Sequence, residues 1–179
     1  MIITTAATTA AEVTTSSVVV ISTSTYEYKG NIDVVGRTEI QFEVKSIGEA
    51  HILLTSDNGS VFEIGIGVAN NAETVIRGSK LGSNIVTVNG VCLDENQYIR
   101  FKLRWVGANL VLERATENSI YGSWMTLTQW QSYGSKNTIV QMDVASWYGT
   151  SADWKIYLVS IGQLTIFCAL KISKDQKEC

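Results

Sequence analysis

The chain has 179 residues, a formal net charge of −3, and 45% hydrophobic against 17% charged residues. That apolar share can offset the entropy of ordering one domain, which excludes a disordered chain, and the length stays below the size at which chains divide. The mildly acidic balance leaves no basic footprint for nucleic acid and no basic run to hold an anionic membrane.

In chain order, the first 25 residues include 12 Thr or Ser, a low-complexity start, yet Val13–Ile21 is rich in β-branched residues and reads as a strand near Val18. Ile40, Phe42 and Val44 alternate with Glu39, Gln41, Glu43 and Lys45, the period-two pattern of a strand with one buried face. Asp57-Asn58-Gly59 divides His51–Thr55 from Val61–Ile66, and Asn89-Gly90 follows Ile85–Val88. Both read as short hairpin signals, because Asn and Gly accept the positive φ of primed turns. Ile99, Phe101, Leu103 and Trp105 alternate with Arg100, Lys102 and Arg104, and Val106–Asn109 leads into Leu110–Leu112. Further strands are expected at Trp124–Trp130, Thr138–Val144 and Trp154–Ser160. No segment keeps a helical period, so the expected fold is all-β, a single antiparallel β-sandwich of jelly-roll type. Its expected organisation is a Thr/Ser-rich N-terminal segment over 1–25 that can add a strand, the sandwich over 26–172, and a polar tail over 173–179.

Proline is absent, which removes one device that protects sheet edges. Three cysteines, Cys92, Cys168 and Cys179, cannot make a fully paired framework, and whether any two of them pair stays open. Met1–Ala11 carries no positive charge and Val18–Ile21 is too short for a signal-peptide core, so no clear signal peptide is read. The apolar stretch Ile156–Leu170 has 15 residues broken by Gly162 and Gln163, short of the roughly 20 that a membrane helix needs. A soluble chain without membrane insertion is expected.

Three stretches carry a resemblance when taken together and in order. Phe42-Glu43-Val44-Lys45 precedes Ala50-His51-Ile52-Leu53-Leu54, and Phe62-Glu63-Ile64-Gly65-Ile66-Gly67 precedes Asn70 and Val75-Ile76-Arg77. Trp124 or Trp130 then precedes Ser146-Trp147-Tyr148-Gly149 and Asp153-Trp154. Over about residues 40–157 the chain resembles the farnesoic acid O-methyltransferase-like domain family. The resemblance implies a compact β-sandwich that often stands beside extracellular modules, and hence an extracellular leaning. It also implies the methyl transfer to a sesquiterpenoid acid that the family's name proposes. His51, Glu63, Asn70 and Arg77 are the polar positions of the motif. His51 and Glu63 each stand six residues from Asp57, so a hairpin there would bring them together, with Arg77 fixing the pair in a structural polar network.

For methyl transfer, Gly65-Ile66-Gly67 is the nearest candidate for a cofactor loop, but Val68-Ala69-Asn70-Asn71 after it reads as a turn with no crossover helix. Such a Gly-x-Gly in a β-protein marks a bulge or close packing. His51 is the only histidine, which excludes a multi-histidine metal site, and no Gly-x-Ser-x-Gly elbow occurs. No catalytic residue, metal or cofactor is therefore assigned.

The aromatics point elsewhere. Trp124, Trp130, Tyr133, Trp147, Tyr148 and Trp154 crowd the last third of the chain, interspersed with Asn137, Asp143 and Asp153. Sugars stack their apolar faces on rings and hydrogen-bond their hydroxyls to amides and carboxylates. Trp147, Tyr148, Asp153 and Asn137 are the expected ligand-binding residues, with Tyr148 the exposed platform and a glycan the expected partner. Tryptophans of a sandwich are also core pieces, so several of these rings are expected inside. The leading expectation is a non-catalytic, lectin-like module. The alternative is a structural protein that self-assembles, as a homo-oligomer, through its N- and C-terminal strands.

Overall fold

The computed structural model describes residues 15–24, 27–90, 93–106, 109–116, 123–131 and 138–160. These fold into two six-stranded sheets in which every strand pair is antiparallel. The first sheet runs, edge to edge, β1 (Thr15–Ser24), β12 (Ser151–Ser160), β3 (Glu39–Ser46), β8 (Ile99–Val106), β9 (Asn109–Ala115) and β10 (Trp124–Gln131). The second runs β2 (Lys29–Asp33), β11 (Ile139–Ser146), β4 (Ala50–Ser56), β5 (Val61–Gly67), β6 (Glu73–Arg77) and β7 (Asn84–Asn89). The all-β sandwich expected from the alternating pattern is the observed architecture.

The alternation is what holds the layers together. Ile40, Phe42 and Val44 of β3 point inward, fully or nearly buried, while Glu39, Gln41, Glu43 and Lys45 face out. Phe42 pairs with Phe101 on β8 and Ile156 on β12, and its ring stacks 5.4 Å from Phe101 and 5.9 Å from Trp154. Ile52, Leu54, Ile64, Ile66 and Met142 close over this layer from the second sheet, all with essentially no exposed surface. Each such side chain contributes about 1.5–3 kcal/mol of burial, so the inter-sheet layer is the main source of stability. Trp154 is the largest fully buried side chain, and its indole N–H donates to Thr23 on β1, 3.3 Å away.

Turn chemistry divides into two outcomes. Asp57-Asn58-Gly59 joins β4 to β5 as a hairpin, with Gly59 at φ 81 and Asn58 Oδ1 accepting from the Ser60 amide at 3.0 Å. Asn89-Gly90 does not make a hairpin. Among the described residues β7 pairs only with β6, and the next strand, β8, belongs to the other sheet, so Gly90 at φ 97 starts a crossing between layers. A positive-φ residue bends the chain in both settings; which strand lies beyond it depends on the burial pattern of the partner. The Cys92, Cys168 and Cys179 thiols, Tyr133 and Asn137 lie outside the described residues. Among the described residues no helix is long and apolar enough to cross a membrane.

Candidate functional site

The outer face of the second sheet departs from the sandwich pattern. Alternation sends His51 on β4, Glu63 and Gly65 on β5, and Val75 on β6 outward, yet all four are buried. Val68, Val75, Ala145 and Trp147 are likewise buried but stand apart from the inter-sheet core. They form a second, smaller layer over the sheet, roofed by Tyr28, the Val68–Asn71 turn, the 78–83 loop and the Trp147–Thr150 turn.

At its centre is Glu63, with no exposed surface. Its Oε1 accepts from the Tyr28 hydroxyl at 2.6 Å and faces His51 Nδ1 at 3.0 Å. Its Oε2 accepts from the Leu81 amide at 2.7 Å and from Arg77 Nη1 at 3.2 Å. Burial alone would raise the Glu63 carboxyl, but the bonds from His51, Tyr28 and Leu81 outweigh it and hold the group at about 2. The same arrangement pushes the Tyr28 hydroxyl well up, first through burial and then through its bond to Glu63. Four donors occupy the acceptor positions of this carboxylate, which leaves it no lone pair for a substrate proton. Glu63 is a structural anion.

His51 carries the network outward. Its Nε2 lies 3.2 Å from Glu49 Oε2, so the imidazole ring stands between two carboxylates. Its ring meets Trp147 edge-on at 5.7 Å, and Tyr28 meets Trp147 edge-on at 6.2 Å. Arg77 spends Nε on Asn84 Oδ1 at 2.8 Å. Gly65 exists to let this layer close: a Cβ there would stand 2.8 Å from Val68 Cγ1 and 3.2 Å from His51 Cε1.

The roof is built from strained turns. Gly67, Ala69, Asn70 and Asn71 all take left-handed backbone (φ 70, 53, 61 and 63), so the Val68–Asn71 turn winds against the usual hand. Each non-glycine residue there costs about 1–2 kcal/mol. Opposing this, the Asn71 amide exchanges two 2.8 Å hydrogen bonds with the Leu93 backbone, and the Glu49 amide donates to Gly67 O at 3.0 Å. Between β11 and β12, Tyr148 (φ 51) and Gly149 (φ 76) form the centre of a tight turn closed by Thr150 N donating to Trp147 O at 3.0 Å. That turn leaves Tyr148 77% exposed.

Two hollows open beside this roof and share Glu49, Arg77 and Tyr148 as a common wall. The larger, about 710 Å³, is lined further by Asn70, Asn71, Glu73, Asn84 and Thr150. The smaller, about 290 Å³, reaches His51, Leu81 and Trp147. Among the described residues no group of three or more His, Cys, Asp or Glu is placed to hold a metal ion.

The residues singled out in the sequence are redistributed accordingly. His51, Glu63 and Arg77 meet in one network, whereas Asn70 stands apart, exposed on the left-handed turn at the cleft wall. Tyr148 is at the cleft mouth with buried Trp147 beneath it. Asp153 is not beside them: it projects from the outer face of the first sheet, where Ser22 donates to it at 2.7 Å and Lys45 pairs with it at 3.2 Å. Trp130 packs on Phe62 at 5.3 Å and Trp124 lies under Lys102 at 4.5 Å, so neither joins the cleft. Tyr28 and the Leu81 amide escaped the sequence reading. No periodic pattern marks a lone tyrosine ahead of a strand, and a backbone amide has no residue type at all.

Two six-stranded antiparallel sheets packed face to face, with clefts built from loops on one outer face, define an antiparallel β-sandwich. The chain belongs to the family described as farnesoic acid O-methyl transferase, whose profile matches residues 22–157. A comparison with curated proteins gives no match. Among solved structures the chain is similar to the VIP36 exoplasmic/lumenal domain in its Ca²⁺/Man-bound form, at 8% identity and TM-score 0.54, covering 83% of this chain and 85% of that one. It is also similar to the Caenorhabditis elegans galectin LEC-6, at 12% identity and TM-score 0.50, covering 78% and 95%. At these identities the likeness is one of fold.

Proposed function

We propose that the chain is a non-catalytic binding module that takes a saccharide in the 710 Å³ cleft beside Tyr148. The observation that carries this reading is the Tyr148 ring, 77% exposed on a turn whose backbone is fixed, beside the Asn70 amide and the Glu49 and Glu73 carboxylates. An aromatic face next to amides and carboxylates matches the apolar face and hydroxyl rim of a sugar ring. The sugar-bound state of one fold neighbour, VIP36, is compatible with the reading. A lumenal or extracellular location goes with it.

The methyl transfer in the family's name finds little support at the glycines. Gly65 is packed under Val68, and Gly67 opens the short left-handed turn Val68–Asn71 rather than a glycine-rich loop leading into a crossover helix. Calorimetry with S-adenosylmethionine tests that alternative directly. Self-assembly has one observation in its favour: edge strand β1 presents Val18 and Val20 outward, 48% and 68% exposed. Loss of oligomeric mass in Val20→Lys on size-exclusion chromatography would support it.

A glycan array probed with the intact chain, with and without calcium, tests the saccharide reading. The expected result is a related set of sugars bound by the native chain and not by Tyr148→Asn, since Asn keeps the left-handed backbone while removing the ring. A blank array with a folded protein overturns it.

A further inference from the structure

We infer that the Tyr148 cleft selects a cationic saccharide, a sugar bearing a free ammonium, over neutral and anionic ones; this rests on the saccharide reading above. Three charged side chains line the cleft: Glu49, Glu73 and Arg77. Arg77 is already committed, with Nη1 on the buried Glu63 at 3.2 Å and Nε on Asn84 at 2.8 Å, so its charge is matched from below. Among the described residues the Glu49 carboxylate has one partner, His51 Nε2 at 3.2 Å. Glu73 has no side-chain hydrogen bond or ion pair among the described residues. The nearest lysine in the roof, Lys80, places its ammonium 4.8 Å over the Tyr28 ring and is not a lining residue.

The two carboxylates flank the same turn. The Glu49 amide donates to Gly67 O, and Glu73 bridges to Val68, one residue on. Asn70, whose amide also has no hydrogen-bond partner among the described residues, projects from that turn. The cleft therefore offers an uncompensated carboxylate, a second one half-shared with an imidazole, an amide and an exposed phenol ring. A hydroxyl can bond to these groups as to any acceptor. An ammonium adds charge to the hydrogen bond and is also attracted to an aromatic face. An acidic sugar meets repulsion from the same carboxylates.

The test is calorimetry at low salt with a glucosamine tetramer and its N-acetylated counterpart, on the native chain, Glu73→Gln and Tyr148→Asn. The glucosamine tetramer is expected to bind more tightly than the N-acetylated one, to weaken about tenfold in Glu73→Gln, and to weaken with added salt. Circular dichroism on the Glu73→Gln protein separates lost binding from lost folding. If neutral glycans bind and are lost in Tyr148→Asn, while Glu73→Gln changes nothing or both tetramers bind equally, the charge selection is overturned and the saccharide reading stands. If no glycan binds at all, both fall.

Discussion

Nδ1 of His51 stands 3.0 Å from Oε1 of Glu63, on neighbouring strands and on the outward side of a sheet, yet neither side chain has more than 2% of its surface exposed. An ionised carboxylate in such a place is stable only because four donors reach it, and removing its charge leaves those donors facing an amide that must itself donate. Glu63→Gln is therefore expected to cost about 3–5 kcal/mol in chemical denaturation, against about 1.5–3 for Tyr28→Phe, which removes one bond to the charge. A loss below about 1 kcal/mol for Glu63→Gln would show that the layer is held by its apolar members instead.

The same carboxylate makes stability depend on acid. Its folded value of about 2 lies below the ordinary 4.5, so the unfolded chain takes up the proton first and the stabilisation is complete above pH 4.5. It is lost as pH falls from 4.5 towards 2, by about 3 kcal/mol in all. Asp153 acts in the same sense, held down by the Ser22 hydroxyl and then Lys45. Urea unfolding at about pH 6 and about pH 3 should show the native chain losing most of that difference and Glu63→Gln losing much less. Equal acid sensitivity in the two would place the responsible group elsewhere.

The inter-sheet core was legible because burial on one side only writes itself into a strand as period two; Ile40-Phe42-Val44 and Phe101-Leu103-Trp105 need no tertiary knowledge. The roofed face was not. Once loops cover a sheet on its second side, outward positions such as His51, Glu63 and Val75 are buried too, and the alternation blurs. The motif resemblance supplied His51, Glu63 and Arg77, which share a face because paired strands β4, β5 and β6 bring their outward positions side by side. Asp153 and Tyr148 stand apart for a related reason. The turn at Tyr148-Gly149 passes the chain from one sheet to the other, so residues close in sequence end on opposite outer faces.

The two glycines of Gly65-Ile66-Gly67 should respond to alanine for different reasons. Gly65→Ala puts a methyl 2.8 Å from Val68 and 3.1 Å from Val75 in a layer with little room to yield, an overpacking cost of about 1–3 kcal/mol. Gly67→Ala adds a left-handed penalty at φ 70 and drives the methyl to 2.6 Å from Asn71 Oδ1, the atom that accepts from Leu93. Both should destabilise, and Gly67→Ala should also disturb the cleft wall. Gly59→Ala, at φ 81 with nothing within 4 Å, isolates the backbone penalty alone at about 1 kcal/mol. If Gly65→Ala cost no more than Gly59→Ala in thermal unfolding, close packing under Val68 would not be the reason for a glycine there.

Thr74 offers a change in the opposite direction. It points inward from β6 between Ile66 and Val88, fully buried, and its hydroxyl has no hydrogen-bond partner among the described residues. Burying an unpaired hydroxyl costs about 1–3 kcal/mol, whereas valine has the same branched shape, the same strand preference and no polar atom to desolvate. Thr74→Val is therefore expected to raise stability by about 1 kcal/mol with no change at the cleft, because the side chain lies on the opposite face of β6 from Arg77. The measurement is the urea midpoint at constant slope. A lower midpoint would mean that the hydroxyl is satisfied by an ordered water between the sheets, and that the core is wetter at β6 than its apolar neighbours imply.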